Sequence, residues 1–230
     1  MFHLLDLIFP KICSGCGKWG SYLCNRCVSE IKQGDLICPN CEKAAIGGKT
    51  HPLCHKKFGL DGLWSLGVYQ NPLRSTIQKL KYKFVTEVGN TLVDLMVGYW
   101  AKYTPEFFQD LKKDPEAWVI VPVPLHKKRE KFRGFNQSAI LGKLLASKMG
   151  LKYSEVLKRV RYTKPQVGMD SWERKKNIKN AFSLDPRLLT LDSSILLVDD
   201  VWTTGSTLKE CCYVLKKGGA SKVWATTLAR

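Results

Sequence analysis

The chain has 230 residues, 44% of them hydrophobic and 25% charged, which excludes collagen-like, low-complexity and wholly disordered classes. Lys and Arg outnumber Asp and Glu by 37 to 20, giving a formal charge of +17, so partners are expected among polyanions: nucleic acid, a membrane surface or a phosphorylated small molecule. No apolar run approaches the ~20 residues that cross a bilayer, and a length of about one and a half typical domains predicts one full core plus a small module.

At the N-terminus, Met1 to Pro10 is apolar. No basic region precedes it, Asp6 interrupts it and Pro10 stands where a small-residue cleavage site is needed, so a cytoplasmic chain is expected rather than a secreted one. Seven of the nine cysteines then fall within the first 54 residues, as Cys13/Cys16, Cys24/Cys27, Cys38/Cys41 and Cys54. In a reducing compartment this odd set reads as metal ligation, and zinc takes such thiolate pairs tetrahedrally. Cys13, Cys16, Cys24 and Cys27 make one complete set. Cys38, Cys41 and Cys54 are one ligand short, with His51 and His55 both near; His51 repeats the two-residue gap to Cys54 and is favoured, while His55 and an interleaved pairing stay open. A segment with so little apolar content needs ligation to fold, so one or two zinc ions are expected to be structural.

Beyond about residue 60 the pattern changes to alternating strands and helices. Strands are predicted at Trp64–Tyr69, Trp118–Val123, Ile195–Asp199 and Val223–Leu228. Helical periodicity runs through Leu73/Ile77/Leu80, Leu92/Leu95/Met96/Tyr99, Ile140/Leu141/Leu144/Leu145 and Leu208/Cys211/Cys212/Leu215, with Gly150 and Gly218 as stops. Leu111 to Glu116 reads as a loop, and Cys211 and Cys212 as small core residues. Continuous apolar strands separated by helices predict an α/β domain over residues 61–230 with a mainly parallel sheet covered on both faces.

The strongest signal is Ile195-Leu-Leu-Val-Asp-Asp-Val-Trp-Thr-Thr-Gly-Ser-Thr207. A buried strand leads into two acids, Asp199 and Asp200, and then into Thr203, Thr204, Gly205, Ser206 and Thr207 at a helix start, where backbone amides, hydroxyls and the dipole converge on one anion. Two acids beside a phosphate cradle need something else to answer, and vicinal sugar hydroxyls do; the expected ligand is a ribose phosphate. Sixteen Lys and Arg against four Asp and Glu lie between residues 120 and 180, concentrating the positive excess near this site.

These residues resemble the motif by which type I phosphoribosyltransferases bind 5-phosphoribosyl 1-diphosphate (PRPP). Pro122-Val-Pro-Leu-His126, Arg129, Arg133-Gly-Phe-Asn-Gln137, Arg161, Thr163, Gln166, Arg174, Asn177 and Ala181-Phe182 extend the resemblance to the ComF/GntX family, which joins an N-terminal double zinc ribbon, here residues 1–60, to such a domain. One departure is visible: Lys57 stands where the family usually has the last cysteine of its second ribbon. The resemblance implies Asp199 and Asp200 on the ribose hydroxyls and Thr203, Thr204, Gly205, Ser206 and Thr207 on the 5′-phosphate. It also implies Mg2+ with PRPP, and pyrophosphate as leaving group. The basic loop after Pro124 is assigned to the diphosphate through Arg129 and Arg133. The segment Lys158–Lys179 is read as a lid that contributes Arg161 and Arg174. Because Phe132, Phe135, Tyr162 and Trp172 interleave with these charges, single-stranded DNA is a second expected partner. The resemblance agrees, since ComF relatives are associated with DNA uptake in natural transformation, where a competence helicase or other uptake proteins are further partners.

Overall fold

The computed structural model describes residues 10–80, 85–163, 171–185 and 192–230. Five strands, β1 (Gly62–Gly67), β2 (Trp118–Pro122), β3 (Lys152–Tyr153), β6 (Ser194–Val201) and β7 (Lys222–Ala229), form one sheet in the order β1-β7-β6-β2-β3, every neighbouring pair parallel. A separate antiparallel pair joins β4 (Leu157–Arg159) to β5 (Phe182–Leu184).

Alternation along the strands decides the layers. Leu196 and Val198 face a core with Trp64, Trp224 and the helices α2 (Leu73–Lys79), α3 (Val85–Tyr103), α4 (Glu106–Lys113) and α6 (Gln137–Met149). Ile195 and Leu197 face the opposite core with Val121, Val223, Leu208 and Cys212, under α8 (Ser206–Lys217). Both cysteines of α8 are buried. Two further helices, α5 (Lys127–Arg133) and α7 (Ser171–Ile178), follow β2 and β4 along the chain.

Two local expectations change. The stretch read as a loop from Leu111 is helical through Lys113 and enters a 3-10 turn at Pro115–Ala117, because Phe107, Phe108 and Leu111 all bury on one face of α4. The strand expected to end at Asp199 runs on to Val201, whose partner in the register is Ala229 of β7.

Near the N-terminus, two knuckles repeat one design. In the first, Ile12 bridges Trp19 around Cys13 and Cys16; in the second, Ile37 bridges Ala44 around Cys38 and Cys41. Each first cysteine's N–H donates to a carbonyl five residues on, Cys13 to Lys18 and Cys38 to Lys43. The short helix α1 (Asn25–Ser29) carries Cys27, which is buried with Cys13, Leu23 and Ile31 against Leu66 and Leu73 in one core, while Ile37 joins the other. The knuckles therefore straddle β1. That strand is an edge of the sheet, and Val68 donating to the Lys32 carbonyl and the Lys49–Gly62 bridge cover its free groups.

Candidate functional site

β2 and β6 are neighbours whose onward connections leave to opposite sides of the sheet, β2 toward β3 and β6 toward β7. In open α/β sheets a crevice opens at such a point, outside the carboxyl ends of the strands. Here it is a cleft of two adjoining cavities, about 490 and 180 Å3, which share Asp199, Asp200 and Thr207.

The loop wall follows from its residues one by one. After Val201 the chain turns the Trp202 side chain inward, 3% exposed, with the residue's backbone N–H donating to the Ala229 carbonyl at 2.8 Å. Gly205 sits against that indole with φ +66°, so a Cβ there would both run into the Trp202 ring and occupy the left-handed region. This close approach launches α8 at Ser206 with no side chain capping its first amides. Thr204 and Ser206 exchange a hydroxyl hydrogen bond at 2.9 Å, and Thr203 and Thr207 line the same cavity. Helix-start amides without a side-chain cap, hydroxyls and a helix dipole thus border one cavity.

Asp199 lies at the floor between the two cavities. Its Oδ1 accepts from the Ser138 hydroxyl at 2.9 Å and from the Asp200 backbone N–H at 2.9 Å. Burial pushes its carboxyl up and the neighbouring Asp200 pushes it further; the two hydrogen bonds and Arg159 pull it back, to about 7. A carboxyl raised to about 7 carries less negative charge at neutral pH than an ordinary aspartate, which lowers the repulsion two adjacent acids would present to an anionic ligand.

The other wall is basic and comes from separate elements. Arg129 and Arg133 of α5 and Arg159 of β4 line the smaller cavity. Arg129 donates to the Thr163 carbonyl at 2.9 Å and Arg159 to the Thr163 hydroxyl, so one residue ties both guanidinium groups in place. Arg133 donates to the Gln137 side chain. Among the described residues, the buried Arg159 Nε and Gln137 Nε2 lack partners, and each is a donor in the wall of this cavity.

Asp199, Asp200, Thr203, Gly205, Ser206, Thr207, Arg129 and Arg133 are brought together on one cleft, with Thr204 in the same loop. Arg161 is not among the residues lining it: its guanidinium donates to the carbonyls of Asn177 (2.8 Å) and Lys179 (2.6 Å) at the end of α7. The backbone of Arg174 lies on α7, but its side chain falls outside the described residues, as do Trp172's and positions 164–170 of the Lys158–Lys179 segment expected to form a lid. Of the other aromatics, Phe132 is 95% exposed and Tyr162 half-exposed, whereas Phe135 packs against the core. Arg159, Ser138, Tyr69 and Arg230 also line the cleft and were not singled out from the sequence. Arg159 had a signal: in Leu157-Lys-Arg159 the period of two puts a cation on the side of the buried Leu157.

Two metal-ligand groups stand apart from the cleft, Cys13/Cys16/Cys24/Cys27 and Cys38/Cys41/His51/Cys54, with all ligand atoms of a group within 4.8 Å of one another. Burial pushes the Cys13 thiol up, but backbone N–H groups of Cys24, Cys16 and Gly15 outweigh it and bring the thiol down to about 6, readying a thiolate. His51 Nδ1 stands 3.4 Å from Cys41 Sγ while its Nε2 donates to the Ala44 carbonyl at 3.0 Å, which leaves Nδ1 as the ligand atom. Four-thiolate and three-thiolate-plus-imidazole sets suit zinc, and neither needs Lys57.

Residues 136–230, the segment holding Ser138, Arg159 and the 199–207 loop, match the phosphoribosyl transferase domain family. Over 223 residues the chain is 34% identical to competence protein F of Haemophilus influenzae, covering 95% of this chain and 90% of that one. The chain belongs to the ComF family. Further ComF relatives include the DNA utilization protein YhgH of Escherichia coli, 31% identical across 97% of this chain and 99% of its own. Competence protein ComFC of Bacillus subtilis is 26% identical across 90% and 84%. The chain combines an N-terminal pair of metal-ligand groups, the second completed by His51 and not by residue 57, with a type I phosphoribosyltransferase domain on a parallel sheet.

Proposed function

We propose that this ComF protein binds PRPP in the cleft and transfers its 5-phosphoribosyl group with release of pyrophosphate. The observation that carries the reading is the meeting, at the carboxyl ends of β2 and β6, of an uncapped helix start lined with hydroxyls, two adjacent carboxylates and three arginines. Thr203 to Thr207 would take the 5′-phosphate, and Asp199 and Asp200 the ribose hydroxyls. Arg129, Arg133 and Arg159 would take the diphosphate. In such a transfer the C1–O bond breaks, its electron pair leaves with the diphosphate, and the acceptor's nucleophilic atom bonds to C1. The arginine wall neutralises charge as it gathers on the leaving group, while the carboxylates tolerate positive charge developing on the sugar. Mg2+ would travel with the diphosphate, and Asp199 and Asp200 are the hard oxygen donors this chain offers it there.

Calorimetric titration with PRPP tests the reading. Binding that depends on Mg2+ and disappears in the Asp199→Asn/Asp200→Asn double variant is expected; equal binding by that variant would refute it.

A second reading, a single-stranded-DNA-binding role in DNA uptake, is favoured by the names of the relatives and by one surface. Phe132 projects from α5 into solvent, and the half-exposed Tyr162 ring stands 5.6 Å from the Lys128 ammonium and 5.8 Å from the Arg129 guanidinium. Stacking rings among cations suit a single strand, and contact with competence proteins would follow from such a role. Affinity for oligothymidylate should fall with salt, with a slope of about 0.7 per phosphate neutralised. Phe132→Ala together with Tyr162→Ala should weaken it, and absence of binding at low salt would end this reading.

A further inference from the structure

On the far side of the 203–207 loop from the cleft, a second cavity of about 680 Å3 opens between the second knuckle and α8. Its volume lies within the ~300–1,000 Å3 of small-molecule sites. Its lining is of two kinds. One part is aromatic and apolar: Phe58 and Tyr213, whose rings meet edge to face at 5.6 Å and 77°, with Ile178 beside them. The other is cationic: Lys56, Lys57 and Lys179, all exposed, together with Lys209. The acids nearby are committed. Glu210 accepts from the Asn180 backbone N–H at 2.7 Å, and Glu42 pairs with Lys209 at 3.8 Å. The cavity is built as well as lined, since the Cys212 thiol donates to the Phe58 carbonyl and holds the aromatic corner against α8.

We propose that this cavity is a second ligand site, for a nucleoside monophosphate. A nucleobase supplies the flat apolar face that Phe58 and Tyr213 can stack on, and its phosphate supplies the negative partner that Lys56, Lys57 and Lys179 lack among the described residues. The Asn180 amide, and the Asn40 amide through the groups left over from its bond to the Cys54 carbonyl at 2.7 Å, can pair with a base edge. Lys57 lies outside the second metal-ligand group and stands over the Phe58 ring with Nζ 5.4 Å from the centroid. The site also touches the loop of the main cleft. Ser206 lines both cavities, and the Lys209 ammonium reaches the Thr204 carbonyl at 3.4 Å and stands 5.1 Å from the Trp202 ring. A nucleotide drawing on Lys209 would alter the wall against which Gly205 packs.

Calorimetry and amide chemical-shift mapping with 5′-AMP, adenosine, inorganic phosphate and ribose 5-phosphate test this. The expected result is that 5′-AMP binds, with shifts at residues 56–59 and along α8, and that adenosine and phosphate bind far more weakly. Lys56→Glu with Lys179→Glu should lower 5′-AMP affinity about tenfold or more, as loss of charge-assisted hydrogen bonds requires, and leave ribose 5-phosphate binding unchanged. Asp199→Asn with Asp200→Asn should leave the 5′-AMP site intact. The proposal is overturned if 5′-AMP is displaced by ribose 5-phosphate and insensitive to the lysine changes, if no 5′-AMP binding is found, or if oligothymidylate needs Lys56 and Lys179 while 5′-AMP does not bind. These arms do not depend on PRPP, so failure of the main cleft and failure of this site are told apart.

Discussion

The two walls of the cleft are built on opposite principles. The loop wall is a single run of chain, Asp199 to Thr207, shaped by one close approach between Gly205 and Trp202 and presenting backbone amides and short hydroxyls. The arginine wall is assembled from α5 and β4, 26 to 30 residues apart in sequence, and long side chains tied by Thr163 and Gln137 form it. Backbone amides survive every substitution but proline and yet can be misplaced by a single added atom, whereas side-chain cations can be removed one at a time with graded loss. The difference predicts an abrupt response on one side and an additive one on the other.

The largest effect is expected from Gly205→Ala. Its new Cβ meets the buried indole and demands a left-handed backbone from alanine, a strain of about 1–2 kcal/mol before the clash is counted. Ribose 5-phosphate binding measured by calorimetry should fall beyond detection, and retention of binding would break the account of the loop wall. Next comes Arg159→Ala. PRPP affinity should drop roughly ten- to a hundredfold through lost charge-assisted hydrogen bonds, while ribose 5-phosphate, which lacks the diphosphate, should be almost unaffected. Equal losses for both ligands would erase the distinction between the walls.

A third effect is on stability. The Asp199 carboxyl is raised from 3.8 to about 7 in the folded chain. Between those values the folded form binds a proton that the unfolded form has lost, so this group's contribution makes stability fall as pH rises through that window and level off above it. Asp199→Asn removes the penalty. Thermal melts should show the variant gaining over the parent at about pH 8 and the gain shrinking toward about pH 4; a gain that grows on acidification would reverse the sign. The smallest effect is reserved for Arg161→Ala. Its guanidinium ties the end of α7 rather than lining the cleft, so PRPP affinity should hold while stability declines by at most about 1 kcal/mol. A loss of affinity like that of Arg159→Ala would bring Arg161 into the arginine wall.

What was legible in the sequence follows the same division. The loop wall is contiguous, so an apolar strand, two acids and a Thr/Gly/Ser cluster expose it without reference to the rest of the chain. The two knuckles are equally local: a repeated two-residue gap points to Cys38, Cys41, His51 and Cys54, the group whose ligand atoms lie together. The arginine wall depends on which cation of a crowded basic segment points inward. Arg161 and Arg159 are two residues apart, yet strand β4 ends between them, so Arg159 keeps the inward side of Leu157 while Arg161 passes to the end of α7. Charge density alone does not carry that difference. The helical extension to Lys113 was hidden likewise, since a run of charges after Leu111 masked the buried face set by Phe107 and Phe108.

The claim at the centre is that one phosphate is gripped by the amides at the start of α8. Amide chemical-shift mapping with ribose 5-phosphate addresses it most directly. The largest shifts are expected at Thr204, Gly205, Ser206 and Thr207, with lesser ones at Asp199 and Asp200. Shifts confined to α5 and β4, with the 203–207 amides unmoved, would contradict it.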